Sequence, residues 1–116
     1  MNVRIYHNSR CSKSRGTLEL LQARGFEPEV INYLDTPPSV SELKSLLRLL
    51  GMTPRQLLRT GEPEYRELGL ADPALGDMAI LEAMVAHPKL IERPIVVADG
   101  RAAIGRPPTV VLDILP

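Results

Sequence analysis

Val3-Arg4-Ile5-Tyr6-His7-Asn8-Ser9-Arg10-Cys11-Ser12-Lys13-Ser14-Arg15 opens as a strand and closes as a helix, with the chain's only cysteine at the joint. Val3 and Ile5 alternate with Arg4 and Tyr6, the period-two pattern of a strand over Val3 to His7. A helix is expected from about Ser12 to Arg24, with Thr17, Leu18, Leu20 and Leu21 on its apolar side and Gly25 as its stop. Pro28 to Tyr33, containing Val30 and Ile31, reads as a second strand. Strand, helix and strand in that order form a βαβ unit, which predicts two parallel strands joined by a right-handed crossover.

Outward from this unit the pattern changes. Ser39-Val40-Ser41-Glu42 has the form of a capping box, followed by Leu43, Leu46, Leu47 and Leu50 at helical spacing and then Gly51. Thr53-Pro54-Arg55-Gln56 repeats the start signal with proline at the first helical position, and Pro63 to Leu68 reads as a further turn. Asp77 is expected to cap a helix from Met78 to Ala86 whose buried stripe is Ile80, Leu81, Met84 and Val85, with Pro88 ending it. Residues of about 36 to 91 therefore read as an all-helical insertion. Beyond it, Arg93 to Ala98 and Arg101 to Ile104 flank Asp99-Gly100, a strong two-residue hairpin signal, so these strands should be antiparallel. Thr109 to Leu115 reads as a short closing helix with Val110, Val111 and Ile114 on one side. The sum, βαβ, a helical block, then ββα, is an α/β order of thioredoxin-like type: one domain over residues 1–116, with a four-stranded mixed sheet.

At 116 residues the chain is long enough for a core that needs no staples. Fourteen lysines and arginines balance fourteen aspartates and glutamates, so no global charge directs the chain to nucleic acid or a membrane. A single cysteine excludes an internal disulfide, and no apolar run approaches the roughly 18 residues of a membrane span or the core of a leader segment. A soluble, reducing, cytoplasmic setting is the expectation. With one cysteine and two separated histidines, His7 and His87, no metal site is expected either.

Two readings apply to Cys11. A free cysteine is often a small buried hydrophobe. Against that, a helix N-terminus carries partial positive charge and unpaired N–H groups, and Arg10, Lys13, Arg15 and His7 add polar or cationic neighbours, which favour the thiolate. A thiolate is a nucleophile, and the same loop suits an anionic substrate.

The residues also carry a resemblance. Tyr6-His7-Asn8 with Cys11 and Ser14, then Leu57-Leu58-Arg59, Glu92-Arg93-Pro94-Ile95-Val96-Val97 and Gly105-Arg106-Pro107, in this order and spacing, resemble the ArsC-type, glutaredoxin-coupled arsenate reductase family over essentially the whole chain. The chain is most similar to the short, ArsC-like subgroup. The resemblance implies that Cys11 attacks arsenate and that Arg59, Arg93 and Arg106 hold the oxyanion and stabilise the thiolate. A guanidinium suits that task because its planar fork matches oxyanions and keeps its charge. Read without the resemblance, Arg59 is an ordinary surface cation, whereas Arg93 and Arg106 each precede a proline at a strand edge, where loops carry function. The resemblance further implies a cis bond at Arg93-Pro94, facing the cysteine. His7 either tunes the thiolate or is a hydrogen-bonded strand histidine. Ser14 either donates to sulfur or satisfies N–H groups of the first helical turn.

Cys11-Ser12-Lys13-Ser14 lacks the resolving cysteine of a Cys-x-x-Cys motif, so the electrons must come from outside. The resemblance names the source as glutathione and glutaredoxin, with no bound cofactor and with arsenite as product, an activity of arsenic resistance. Two alternatives stay open: a general glutathione-dependent thiol oxidoreductase, and a regulator resembling Spx that binds RNA polymerase.

Overall fold

The computed structural model describes residues 2–116, which divide into two compact units. The first joins the residues up to Thr36 with Arg93–Pro116, and the second is Pro37–Glu92.

In the first unit, β1 (Val3–His7), α1 (Ser12–Ala23) and β2 (Glu29–Asn32) form the βαβ unit, with β1 and β2 parallel and Ile5 opposite Val30. β3 (Ile95–Ala98) runs antiparallel to β1, placing Val96 opposite Ile5, and β4 (Arg101–Ile104) runs antiparallel to β3. The order β2-β1-β3-β4 is the four-stranded mixed sheet of a thioredoxin-like α/β fold. Asp99 and Gly100 turn the hairpin with φ of 46° and 78°, the paired positive values that a tight two-residue turn demands. Leu21 of α1 and Val111 and Ile114 of a closing 3₁₀ helix (Pro108–Ile114) pack with Val3, Ile5, Val96 and Ala98 into one apolar cluster. The Arg93-Pro94 bond is cis, as the resemblance implied, and so is Arg106-Pro107, which nothing in the sequence signalled.

The second unit holds α2 (Val40–Leu50), α3 (Pro54–Leu57), α4 (Pro63–Glu67) and α5 (Asp77–Ala86), followed by a 3₁₀ turn at Pro88–Leu90. Ser39 Oγ accepts from Glu42 N–H at 3.1 Å, and Thr53 and Gln56 cap α3 reciprocally. Leu43, Leu57, Ile80, Met84 and Leu90 are fully buried. The unit is not purely helical. Leu58 and Ile91 form an isolated antiparallel bridge, in which Arg59 N–H donates to Leu90 O at 2.8 Å and Glu92 N–H to Leu57 O at 3.0 Å. Among the described residues no helix is long and apolar enough to cross a membrane.

Three local expectations change. Alternation placed Tyr6 with Arg4 on the polar face of β1, yet Tyr6 is buried; so is His7 on the opposite face, which means the second half of β1 is covered on both faces. The closing helix is 3₁₀, so residues three apart share a face; Val111 and Ile114 are buried while Val110 is exposed. Asp77 is the first residue of α5 rather than its cap: Gly76 holds the extended cap position and Asp77 supplies a carboxylate to the first turn, where the helix dipole favours it.

One contact fixes the far loops against α1. Gly105 N–H donates to Pro94 O at 3.0 Å, while Thr17 Oγ1 donates to Lys13 O at 2.8 Å and lies 3.4 Å from Gly105 O. A Cβ on Gly105 would stand 2.3 Å from Thr17 Oγ1 and 2.9 Å from Pro94 Cγ, so the position needs a residue without one. Gly105→Ala should therefore destabilise the protein by about 1–3 kcal/mol through overpacking. Gly61→Ala, where a Cβ meets nothing within 4 Å, should stay within about 0.5 kcal/mol. Urea titration of both variants measures the difference, and equal midpoints would contradict the packing account.

Candidate active site

Cys11 is the N-cap of α1, with extended backbone at φ −98° and ψ 123°. Its N–H donates to Asn8 O at 3.0 Å, which closes the loop from Asn8 into a turn, and its carbonyl accepts from Arg15 N–H at 3.0 Å, the first hydrogen bond of the helix. The side chain is half-buried and free. An N-cap residue faces the N–H groups of the first turn, which have no partner inside the helix. Here the cap is a thiol, and the Lys13 and Ser14 amides of the first turn help to lower its pKa.

Two loops of the same unit add full charges. Arg106 Nη1 lies 3.7 Å from Cys11 Sγ and also donates to the Arg93 carbonyl at 3.3 Å. Arg93 also favours the thiolate, lowering the pKa of the same thiol. Partial burial is the largest single influence on the thiol and pushes its pKa up. The Ser14 amide, the Arg93 guanidinium, the Lys13 amide and the Arg106 guanidinium oppose it, and together they hold Cys11 below the ordinary thiol value. Two backbone donors and two guanidinium groups around one sulfur make an anion site, in which a thiolate and a small oxyanion are served by the same kind of donor.

Behind the sulfur lies a buried polar network. Ser14 Oγ accepts from Asn8 N–H at 3.0 Å and pairs with His7 Nδ1 at 2.7 Å. Burial, with a smaller contribution from the nearby charge of Arg15, lowers the His7 pKa and favours the neutral ring. Since Ser14 Oγ already accepts from Asn8, the simplest assignment has its hydroxyl donating to an unprotonated Nδ1. Arg15 in turn donates from Nη1 to Ser9 O at 2.9 Å, tying the loop to the helix. His7 and Ser14 thus shape the loop that carries Cys11, and the contribution of Ser14 to the sulfur comes from its backbone.

The structure gathers Cys11, Arg93, Arg106, His7 and Ser14 within the first unit, with Pro94 beside Arg93 in the loop clamped by Gly105. Arg59 belongs to the second unit, where Nη1 lies 2.6 Å from Glu92 Oε1 and Nε 3.4 Å from Glu62 Oε1, so two carboxylates occupy its guanidinium. Sequence reasoning missed this pairing because Glu92 is 33 residues away and the Leu58–Ile91 bridge that brings it close has no local signature. The Lys13 amide and the steric role of Gly105 were missed too. The only available signal for the amide was the placement of a cysteine where Ser, Thr or Asp ordinarily caps a helix.

A lowered thiol pKa has a direct kinetic signature. Alkylation of Cys11 by iodoacetamide should reach its plateau with a midpoint below about 8.5, the ordinary cysteine value, since only the thiolate reacts. Arg106→Ala should move the midpoint upward by removing one of the groups that oppose desolvation. A wild-type midpoint at or above the ordinary value would contradict the site as described.

Comparison with known proteins identifies relatives along nearly the whole chain. The family model of ArsC matches residues 6–114. YfgD of Escherichia coli K12, described as uncharacterised, is 57% identical over 114 residues, covering 97% of this chain and 96% of that protein. An arsenate reductase of Neisseria meningitidis serogroup B is 52% identical over 106 residues, covering 90% of this chain and 91% of that one. The solved structure of an arsenate reductase from Vibrio cholerae superposes with a TM-score of 0.97 at 56% identity, over 99% of this chain and 98% of that chain. A cysteine-capped helix on a thioredoxin-like sheet, matched along nearly its whole length by these proteins, makes this chain a member of the ArsC family.

Proposed function

We propose that this protein is an arsenate reductase in which Cys11 is the nucleophile. The observation that carries the reading is a half-buried cysteine that caps α1 with Arg106 Nη1 3.7 Å from its sulfur, its pKa held down by Arg93, Arg106 and the first-turn amides. The Cys11 thiolate attacks the arsenic of dihydrogen arsenate, a sulfur–arsenic bond forms, and one oxygen leaves as water after taking up a proton, giving a cysteinyl arsenate. Arg93 and Arg106 bind the remaining oxygens, and the α1 amides offset negative charge during attack. Arg59, the third arginine of the family pattern, is a further oxyanion ligand by that resemblance, and its Nε and Nη1 also pair with Glu62 and Glu92.

Reduction of the adduct takes two electrons from two external thiols, which leave as a disulfide while arsenic departs as arsenite and Cys11 is restored as a thiol. Glutathione followed by glutaredoxin is the reductant we propose, because Cys11 has no second cysteine in the chain to resolve it. No bound cofactor enters the cycle. The need for a reduced Cys11 at every turnover suits the cytoplasm.

Arsenate turnover with glutathione and glutaredoxin, followed through glutathione reductase and NADPH, tests the reading. Cys11→Ser should abolish turnover, since a serine hydroxyl stays protonated and cannot carry the adduct through reduction. Arg106→Lys should raise the KM for arsenate by about tenfold or more although the charge is kept, because an ammonium cannot span two oxygens and loses the Arg93 carbonyl. Reduction of a glutathione mixed disulfide by the wild type with no arsenate turnover would overturn the proposal in favour of a general thiol oxidoreductase.

A further inference from the structure

Beside the Cys11 loop the first unit contains a pocket of about 290 Å³ that the mechanism above leaves unused. Its lining includes Asn8, Arg10, Asn32, Leu34 and Asp35, so it spans the loop just before Cys11 and the chain just after β2. Arg10 and Asp35 carry opposite charges into the same cavity, are exposed, and form no ion pair with each other or with any other described residue. Asn8 is held in place, its Oδ1 accepting from Arg10 N–H at 3.0 Å and its carbonyl from Cys11 N–H at 3.0 Å. That arrangement leaves the Asn8 amide NH₂ as a further donor.

The chemistry of this lining is selective. Two unpaired opposite charges in one small cavity suit a ligand that is itself a compact zwitterion, with a carboxylate for Arg10 and the Asn8 amide, and an ammonium for Asp35. At about 290 Å³ the pocket lies at the small end of ligand sites, which begin near about 300 Å³, so it suits an amino-acid-sized group rather than a whole peptide. Its lining runs to Arg10, the residue before Cys11, so it suits a group joined to whatever reacts with the sulfur. We infer that the pocket seats the γ-glutamyl end of a glutathione-type thiol, whose α-ammonium and α-carboxylate share one carbon, while its sulfur engages Cys11. The inference rests on the thiol-dependent reading given above and adds to it a binding site for the reductant.

The test is thiol–disulfide exchange on the whole protein, with no arsenate present. Cys11 thiolate attacks one sulfur of glutathione disulfide, the S–S bond of the probe breaks, a Cys11–glutathione disulfide forms and one glutathione thiolate leaves. The second probe is the disulfide of cysteinylglycine, the same molecule without its γ-glutamyl ends. Intact-mass measurement gives both rates, and comparing their ratio between wild type and Asp35→Asn cancels the different leaving abilities of the two thiols. Asp35→Asn should lower the ratio by about tenfold through loss of the glutathione rate alone, the scale of one charge-assisted hydrogen bond. A ratio that does not fall, whether neither rate changes or both fall together, overturns the pocket assignment. Because arsenate is absent, a protein inert to arsenate that still discriminates these probes would sink the proposed function and leave the pocket standing. Arsenate turnover without discrimination would sink the pocket alone.

Discussion

A sulfur anion drawn partly out of water must find donors that the solvent no longer supplies, and the architecture of the first unit meets that demand at Cys11. Burial alone works against the thiolate. It is outweighed because Cys11 caps α1, where first-turn amides lack helical partners, and because the loops entering β3 and leaving β4 each bring an arginine to the sulfur. The mixed sheet supplies the geometry. β3 lies next to β1, so the loop before β3 and the loop after β1 open at neighbouring positions, and the register of Tyr6 with Ile95 fixes how they face each other.

The precision of the site comes from contacts that carry no charge. Thr17 and Gly105 bring the Arg106 loop onto α1, and the Arg93 carbonyl accepts from Arg106, so the two guanidinium groups are positioned relative to each other as well as to the sulfur. His7, Ser14 and Asn8 form a buried polar network beneath the loop, and its hydrogen bonds hold the loop in one arrangement. A neutral His7 adds no charge to the site. The balance between thiolate and oxyanion therefore rests on the arginines and the helix.

Local patterns made much of this legible before any coordinates. The strand–helix–strand reading over Val3 to Tyr33 and the Asp99-Gly100 hairpin rest on period, caps and turn chemistry, all short-range signals, and they locate Cys11 at a helix N-terminus. Arg93 and Arg106 stood out through their prolines and through family resemblance, but spacing alone does not say where a guanidinium points. What stayed hidden depends on tertiary packing. Tyr6 is buried because both faces of the second half of β1 are covered, Val110 is exposed because the last helix winds with three residues per turn, and Arg59 meets Glu92 only through a bridge between distant segments. None of these has a signature within one helical turn or one strand.

The account stands or falls on bond formation between Cys11 and arsenic, and X-ray absorption at the arsenic edge observes that bond directly. Protein incubated with arsenate and quenched in the presence of limiting glutathione should show a sulfur neighbour in the first shell of arsenic, and Cys11→Ser under the same conditions should show oxygen neighbours only. A wild-type spectrum with an all-oxygen shell, or a sulfur neighbour that persists in Cys11→Ser, would contradict Cys11 as the nucleophile.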